Sequence, residues 1–401
     1  MAKYAYKGVD TSGKAKSGTV EAPTEEAAKQ KLKSEGLTLQ SVSEKKDIEI
    51  PFLKKKVKNR DLSVFSKQFA SVLRAGVPII AALDMMTGQM DNKSLKEALE
   101  LARNHVQKGG TLADGLKQSP KVFPPMMYNM VEAGEGSGKL EICFERLAAQ
   151  FEKSGHIEAK IKGAMTYPVV VLIVVFAVVV LMLVKVIPIF GDMFKEMGSQ
   201  LPAATQFLVD ASDFIVAKWY IVFGILAVIV VGIKVFAKTD YGQTFFGKMS
   251  IKMPIFGDLN IKSAAAQFSR TFATLLASGI SMIDAIEQTA NTIKNKHIRD
   301  SLKECKIQVA RGVPLSKPIK DMDIFPLMLP QMMHIGEETG NIEDMMDKVA
   351  DFYEDEVDIA VDALTAMMEP LIIVVLAVVV GGMVVAIYSP ILNMYDAVDS
   401  Y

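Results

Sequence analysis

Phe65-Ser66-Lys67-Gln68-Phe69-Ala70-Ser71-Val72-Leu73 returns as Phe268-Ser269-Arg270-Thr271-Phe272-Ala273-Thr274-Leu275-Leu276. Between 65–83 and 268–286, eight of nineteen positions are identical at a constant offset of 203. After one deletion the offset becomes 202, and Phe123-Pro124 then aligns with Phe325-Pro326. Gly134-Glu135-Gly136-Ser137-Gly138 aligns with Gly336-Glu337-Glu338-Thr339-Gly340, Pro168 with Pro370, and Pro188 with Pro390. A self-match of that extent marks a duplicated structural unit. Phe65, Phe69, Val72 and Leu73 fall at i, i+4, i+7 and i+8, one face of a helix. Leu95–Val106 and Leu140–Phe151 read the same way, with Gly109-Gly110 and Ser119-Pro120 as punctuation. Each copy is therefore expected to be a helical bundle, and its methionines fit an adaptable core.

Each bundle is followed by an apolar run: Val169 to Val184, and Leu371 to Tyr388. A third run, Trp219 to Ile233, lies between the copies and extends past Lys234 through Ala237. A hydrocarbon layer of about 30 Å needs roughly 20 helical residues, which each run approaches with its flanks. Three membrane helices are the expectation, with Trp219, Tyr220 and Tyr388 at interface positions and Lys185 reaching for the headgroups. Residues 1–168 hold 27 of the Lys and Arg residues and 234–370 hold 15, against two in 188–218 and none after Tyr388. That bias places both bundles and the N-terminus in the cytoplasm, and the loop 188–218 and the C-terminus in the periplasm. Cys143 and Cys305 then sit in a reducing compartment as free thiols. Residues 1–50 contain no apolar stretch of signal-peptide type.

The N-terminal segment differs in kind. Tyr4-Ala5-Tyr6 and Gly18-Thr19-Val20 flank a turn at Asp10-Thr11-Ser12-Gly13, and Thr24-Glu25-Glu26-Ala27 opens a helix stopped at Gly36. The expected fold class is an all-α membrane protein with two homologous cytoplasmic bundles, three transmembrane helices and a small N-terminal α+β element. Its expected parts are a hairpin/helix element over 1–50, a first bundle over 51–168 and a membrane helix over 169–189. A periplasmic loop over 190–217 follows, then a membrane helix over 218–237, a second bundle over 238–369, a membrane helix over 370–389 and a tail over 390–401.

Composition narrows the function. Of 401 residues half are hydrophobic and 23% are charged, with a formal net charge of −1. A near-neutral chain lacks the basic face that general nucleic-acid binding needs. Ala133-x-x-x-x-Gly138-Lys139 imitates a phosphate loop, but Leu140 replaces the Mg²⁺-binding hydroxyl and the second copy has Asn341 for the lysine. His105, His156, His297 and His334 are scattered, without paired metal spacing. No GxSxG occurs, and no carboxylate pair lies inside an apolar run. Catalytic residues, cofactors and metals are therefore expected to be absent. A membrane-embedded enzyme rests on the glycine-rich element alone, and a transporter on Lys185 alone.

Three groups of charged residues remain as partner contacts. Glu135, Glu337 and Glu338 lie in the repeated glycine-flanked element. Two readings of that element stand together: a connecting turn whose Ser or Thr caps the next helix, and an exposed acidic contact. Lys54, Lys55, Lys56, Lys58 and Arg60 form a basic linker, either a solvated connector or a contact for anionic lipid or an acidic partner. Before the third run stand Asp351, Glu354, Asp355, Glu356, Asp358, Asp362 and Glu369, where the first copy has Lys153, Lys160 and Lys162. This acidic face is either solvated or pairs with a basic partner, such as another copy in an oligomer.

These residues match a known pattern. Arg60-Asp61-Leu62-x-x-Phe65-x-x-Gln68, Ala75-Gly76-Val77-Pro78, Gly134-Glu135-x-Ser137-Gly138, Tyr167-Pro168, Leu201-Pro202, Pro254-Ile255-Phe256-Gly257, Gly336-Glu337-Glu338-Thr339-Gly340 and Glu369-Pro370 occur in order from Tyr4 to about Leu392. In these elements the chain resembles the inner-membrane platform proteins of type IV pili and type II secretion, the PilC/GspF family. Phe352-Tyr353-Glu354-x-Glu356-Val357-Asp358 and Val186-Ile187-Pro188-x-Phe190 look more like the pilus branch, with the secretion branch as the alternative. The resemblance implies a non-enzymatic scaffold, a homodimer or higher oligomer in the bacterial inner membrane. Its implied partners are a hexameric assembly ATPase, a retraction ATPase, pilin subunits, other inner-membrane alignment proteins and the lipid bilayer.

Overall fold

The computed structural model describes residues 2–9, 15–22, 24–34, 38–44, 55–189, 203–254 and 256–398. The expected turn at Asp10–Gly13, the stop at Gly36, Lys54 and the loop from Phe190 to Pro202 lie outside the described residues.

The chain divides into a small unit, Met1–Lys56, and a large one, Val57–Tyr401. In the small unit β1 (Ala2–Val9), β2 (Ala15–Ala22) and β3 (Thr38–Glu44) form an antiparallel sheet of order β2-β1-β3, with Tyr4 opposite Val20. Helix α1 (Glu25–Ser34) supplies Ala28 and Leu32 to a core completed by Tyr4, Val20 and Ala22. The Thr24 hydroxyl accepts from Ala27 N at 3.2 Å and so satisfies one free N–H of the helix start.

The large unit holds both copies. The first consists of α2 (Asn59–Arg74), α3 (Ile79–Gln89), α4 (Lys93–Gln107), α5 (Leu112–Lys117), α6 (Pro125–Ser137) and α7 (Leu140–Ala164). Helix α8 (Thr166–Leu181) continues α7 through Pro168 and ends in one π-turn, Met182–Val186, where Lys185 is exposed. Between the copies lie α9 (Ala203–Ala217), α10 (Trp219–Phe236) and α11 (Asp240–Lys252). The second copy consists of α12 (Phe256–Ala277), α13 (Met282–Thr292), α14 (Lys296–Ala310), α15 (Ser316–Asp321), α16 (Met328–Thr339) and α17 (Ile342–Val398). The last helix runs 57 residues, through Pro370, without interruption.

Sequence spacing explains the bundle cores. Phe65 and Phe69 stack at 5.4 Å in α2, and Phe144 meets them edge-on at 6.0 and 4.6 Å. In the second copy Phe268 and Phe272 stack at 5.4 Å, and Met346 is buried where the first copy has Phe144. Such edge and offset ring pairs add to the hydrophobic burial that dominates the core. The helix starts repeat as well. Asn92 accepts from Ser94 N and Leu95 N, and its counterpart Asn295 accepts from His297 N and Ile298 N.

Two continuous helices among the described residues, Leu140–Ile189 and Ile342–Val385, are long and apolar enough to cross a membrane, and their apolar stretches are almost unburied. Phe176 is 68% exposed and Val378 69%. Side chains of that kind are driven out of water, so a bilayer is their natural solvent. Helix α10 has the same composition, with Val228 71% exposed. The π-turn after α8 leaves the Leu183 carbonyl available, and the Ser212 hydroxyl donates to it.

Both cysteines are free and buried. Burial pushes the Cys305 thiol up to about 11 and holds Cys143 above the usual thiol range. At pH 8 a thiol at that level is about 0.1% thiolate. Neither is therefore expected to react with iodoacetamide within minutes in the native protein, and both should react in denaturant. Mass spectrometry of the alkylated chain checks this, and rapid native labelling would contradict the burial.

Candidate functional site: the seam between the two repeats

Helix α7 of the first copy lies against α12 and α17 of the second. The seam begins with a buried amide. Gln150 is 3% exposed; its Nε2 donates to Thr271 Oγ1 at 3.0 Å, and its Oε1 accepts from Thr274 Oγ1 at 3.2 Å. Both ends of the amide are thus satisfied, as burial requires.

The next layer is ionic. Glu354, whose side chain is 10% exposed, accepts Arg270 Nε at 2.8 Å, Arg270 Nη2 at 3.0 Å and Lys153 Nζ at 2.8 Å. The guanidinium fork also reaches Asp347 and Asp351. Burial pulls against the charge on Arg270, but the hydrogen bonds and charge of Glu354, with Asp351, outweigh it and hold the group above the ordinary arginine range. The Glu354 hydrogen bond likewise raises Lys153. Two helical turns along α7 from Lys153, Lys160 lies 3.3 Å from Asp358 and 3.4 Å from Asp362. Lys262 bridges Asp258 at 2.9 Å and Glu356 at 3.0 Å. On the other side of α7, Lys294 meets Glu158 at 3.2 Å. The seam then turns apolar: Leu259, Val357, Val361 and Leu364 pack with Ile157, Ile161 and Met165 at the foot of the bundles.

The acidic run of the second copy therefore meets basic side chains of the same chain. Glu354, Glu356 and Asp358, expected to face a partner, are engaged here. The seam is also unequal. Lys67 and Glu152, the first-copy counterparts of Arg270 and Glu354, are both exposed.

The repeated glycine-flanked element is the last turn of α6 and of α16. Gly138 and Gly340 close those helices at φ 68° and 72°, a conformation that favours glycine. Lys139 N donates to Gly134 O at 2.9 Å and Gly138 N to Glu135 O at 3.3 Å, the bond pair of a left-handed helix stop. Ser137 donates to Ala133 O at 2.8 Å and Thr339 to Ile335 O at 2.7 Å. These hydroxyls close their own helix and do not cap the next one, which corrects the capping expectation. The glutamates cap a different helix instead. Glu135 accepts from Leu112 N at 2.7 Å and Ala113 N at 2.9 Å, at the start of α5. Glu337 accepts from Leu315 N, from Ser316 N at 3.2 Å and from the Ser316 hydroxyl, at the start of α15. Both glutamates are half-buried. Glu338 is exposed, with His334 Nε2 at 3.4 Å.

Lys55, Lys56 and Arg60 are exposed. No group of three or more His, Cys, Asp or Glu among the described residues is arranged to hold a metal. What the seam offers chemically is charge pairing and rigidity. Arg270, which sequence reading passed over, is its centre. The available signal was the inversion of charge at equivalent positions, Lys153 against Asp355 and Lys160 against Asp362.

A family model described as type II secretion system (T2SS), protein F, matches residues 65–188 and again 268–390. The N-terminal domain of type II secretion system protein F matches 1–43. Type IV pilus assembly protein PilC of Myxococcus xanthus is 38% identical over 99% of this chain and 96% of its own. PilC of Pseudomonas aeruginosa is 36% identical over 88% and 95%. Type II secretion system protein F of Vibrio cholerae is 29% identical over 98% of each.

Proposed function

The chain belongs to the type II secretion system protein F family, and from that premise we propose that it is the inner-membrane platform of a type IV pilus assembly machine. One observation carries the pilus reading: identity is 38% and 36% to the two PilC proteins against 29% to protein F of Vibrio cholerae, over most of the chain. The platform of a type II secretion system is the second reading, favoured by the family's own description.

The proposed architecture is three membrane helices, 169–189, 218–237 and 370–389, with both bundles and the N-terminus in the cytoplasm. The loop 190–217 and the tail 390–401 are then periplasmic. Hexameric assembly and retraction ATPases dock on the bundles, whose movement passes into the membrane helices and lifts or releases pilins. Alignment proteins of the inner membrane and a second copy of the chain complete the assembly. The role is that of a scaffold, not an enzyme. Support comes from the two bundles on membrane-length helices and from a seam that ties them into one body able to carry a rigid rotation. Exposed Glu338, Lys55, Lys56 and Arg60, with Lys54, remain the proposed docking charges.

Deletion of the gene tests the reading. Loss of surface filaments with intact protein secretion is expected, and full piliation would exclude the pilus role. Complementation with Glu338→Lys should leave thermal stability unchanged while weakening co-purification with the assembly ATPase. Wild-type recovery of that ATPase would remove Glu338 from the docking surface.

A further inference from the structure

Helix α11 has two unlike faces. Its inner face is bonded to the second bundle. Asn295 Nδ2 donates to Gly247 O at 3.0 Å and to Ser250 Oγ at 3.1 Å, and Asn260 Nδ2 donates to Ser250 O at 2.9 Å. Asp240 pairs with Lys296 at 2.6 Å. The outer face carries Tyr241, Phe245, Met249 and, one turn beyond, Met253, at i, i+4, i+8 and i+12. These are 75, 49, 42 and 40% exposed. A contiguous stripe of that kind marks an interaction surface, since water is a poor solvent for it.

Three facts identify what covers it. The stripe starts where α10 ends: the Phe236 ring lies 6.3 Å from Tyr241 and 6.5 Å from Phe245, across the turn capped by Thr239. Lys238, Lys248 and Lys252 flank it, all exposed. Between Lys238 and Met253 the one acidic residue is Asp240, which is turned to Lys296. An apolar stripe rimmed by cations, at the depth where an apolar helix leaves the hydrocarbon, is the pattern of a helix lying in a lipid interface. We propose that α11 lies along the cytoplasmic headgroup layer, with Tyr241, Phe245 and Met249 at the acyl boundary and its lysines against anionic phospholipid. The assignment rests on the reading of α10 as a membrane span.

The test uses the full chain in vesicles of phosphatidylcholine, with and without phosphatidylglycerol. Cys143 and Cys305 are replaced by alanine, and an environment-sensitive fluorophore is attached to Phe245→Cys, Met249→Cys, Val228→Cys or Ile307→Cys. Lipids carrying a quencher at shallow or deep acyl positions read the depth of each label. Labels at 245 and 249 should be quenched by the shallow lipid, more strongly when phosphatidylglycerol is present. The label at 228 should be quenched by the deep lipid, and that at 307, on α14, by neither. Replacing Lys238, Lys248 and Lys252 together by glutamine should abolish the phosphatidylglycerol increment. If 228 is quenched while 245 and 249 behave like 307, α11 faces water or protein and the proposal is overturned with the span intact. If 228 is also unquenched, the span reading falls and takes the proposal with it. Equal quenching in both vesicle types overturns the anionic-lipid assignment.

Discussion

Arg270→Ala is expected to lower the unfolding free energy by about 3 kcal/mol, the low end of what breaking a buried ion pair costs, because Lys153 stays on Glu354. Glu354 sits at 10% side-chain exposure and takes two of its three close donors from Arg270, with Asp347 and Asp351 on the same fork. Lys153 makes the third contact, at 2.8 Å. It is half exposed, so Lys153→Ala should cost less than about 1 kcal/mol. Arg270→Met combined with Glu354→Leu should recover most of the loss, because removing both charges also removes their desolvation. Thermal unfolding of the detergent-solubilised chain, followed by circular dichroism, reads the series. A melting temperature unchanged by Arg270→Ala would mean that the seam is solvated and holds nothing.

The two capping glutamates should not be equivalent. Glu337→Ala is expected to cost about 2–3 kcal/mol, since it frees the N–H groups of buried Leu315 and Ser316 and strands the Ser316 hydroxyl. The helix start of α15 has no side-chain cap of its own. In the first copy Thr111 caps α5 through Asp114 N at 3.1 Å, so that start keeps one partner when Glu135 is removed. Glu135→Ala should therefore cost visibly less, about 1–2 kcal/mol. Urea titration of both variants makes the comparison, and equal losses would show that Thr111 contributes nothing.

Much of this is legible in the sequence. Phe65 and Phe69 repeat as Phe268 and Phe272, and their helical spacing places them in the core. What sequence could not say is which helix faces meet. Lys160 and Asp362 occupy equivalent positions with opposite charge, yet only the crossing of α7 over α17 makes them partners. Glu135 and Glu337 read as exposed because glycine-flanked acids usually lie on turns. Their actual partners are backbone N–H groups twenty-odd residues earlier, which side-chain patterns do not display. Ser137 and Thr339 misled for a related reason: the left-handed glycine after each ends the helix before the hydroxyl can reach the next one.

Helix α17, at about 1.5 Å per residue, is a rod of about 85 Å that joins the Arg270–Glu354 cluster to the apolar segment. Pro370 interrupts its hydrogen-bond ladder but not its course, and Pro168 stands at the same level of the first rod. Both rods thus lack one backbone hydrogen bond at the same level, where each leaves its bundle, so bending there costs less than elsewhere along the rod.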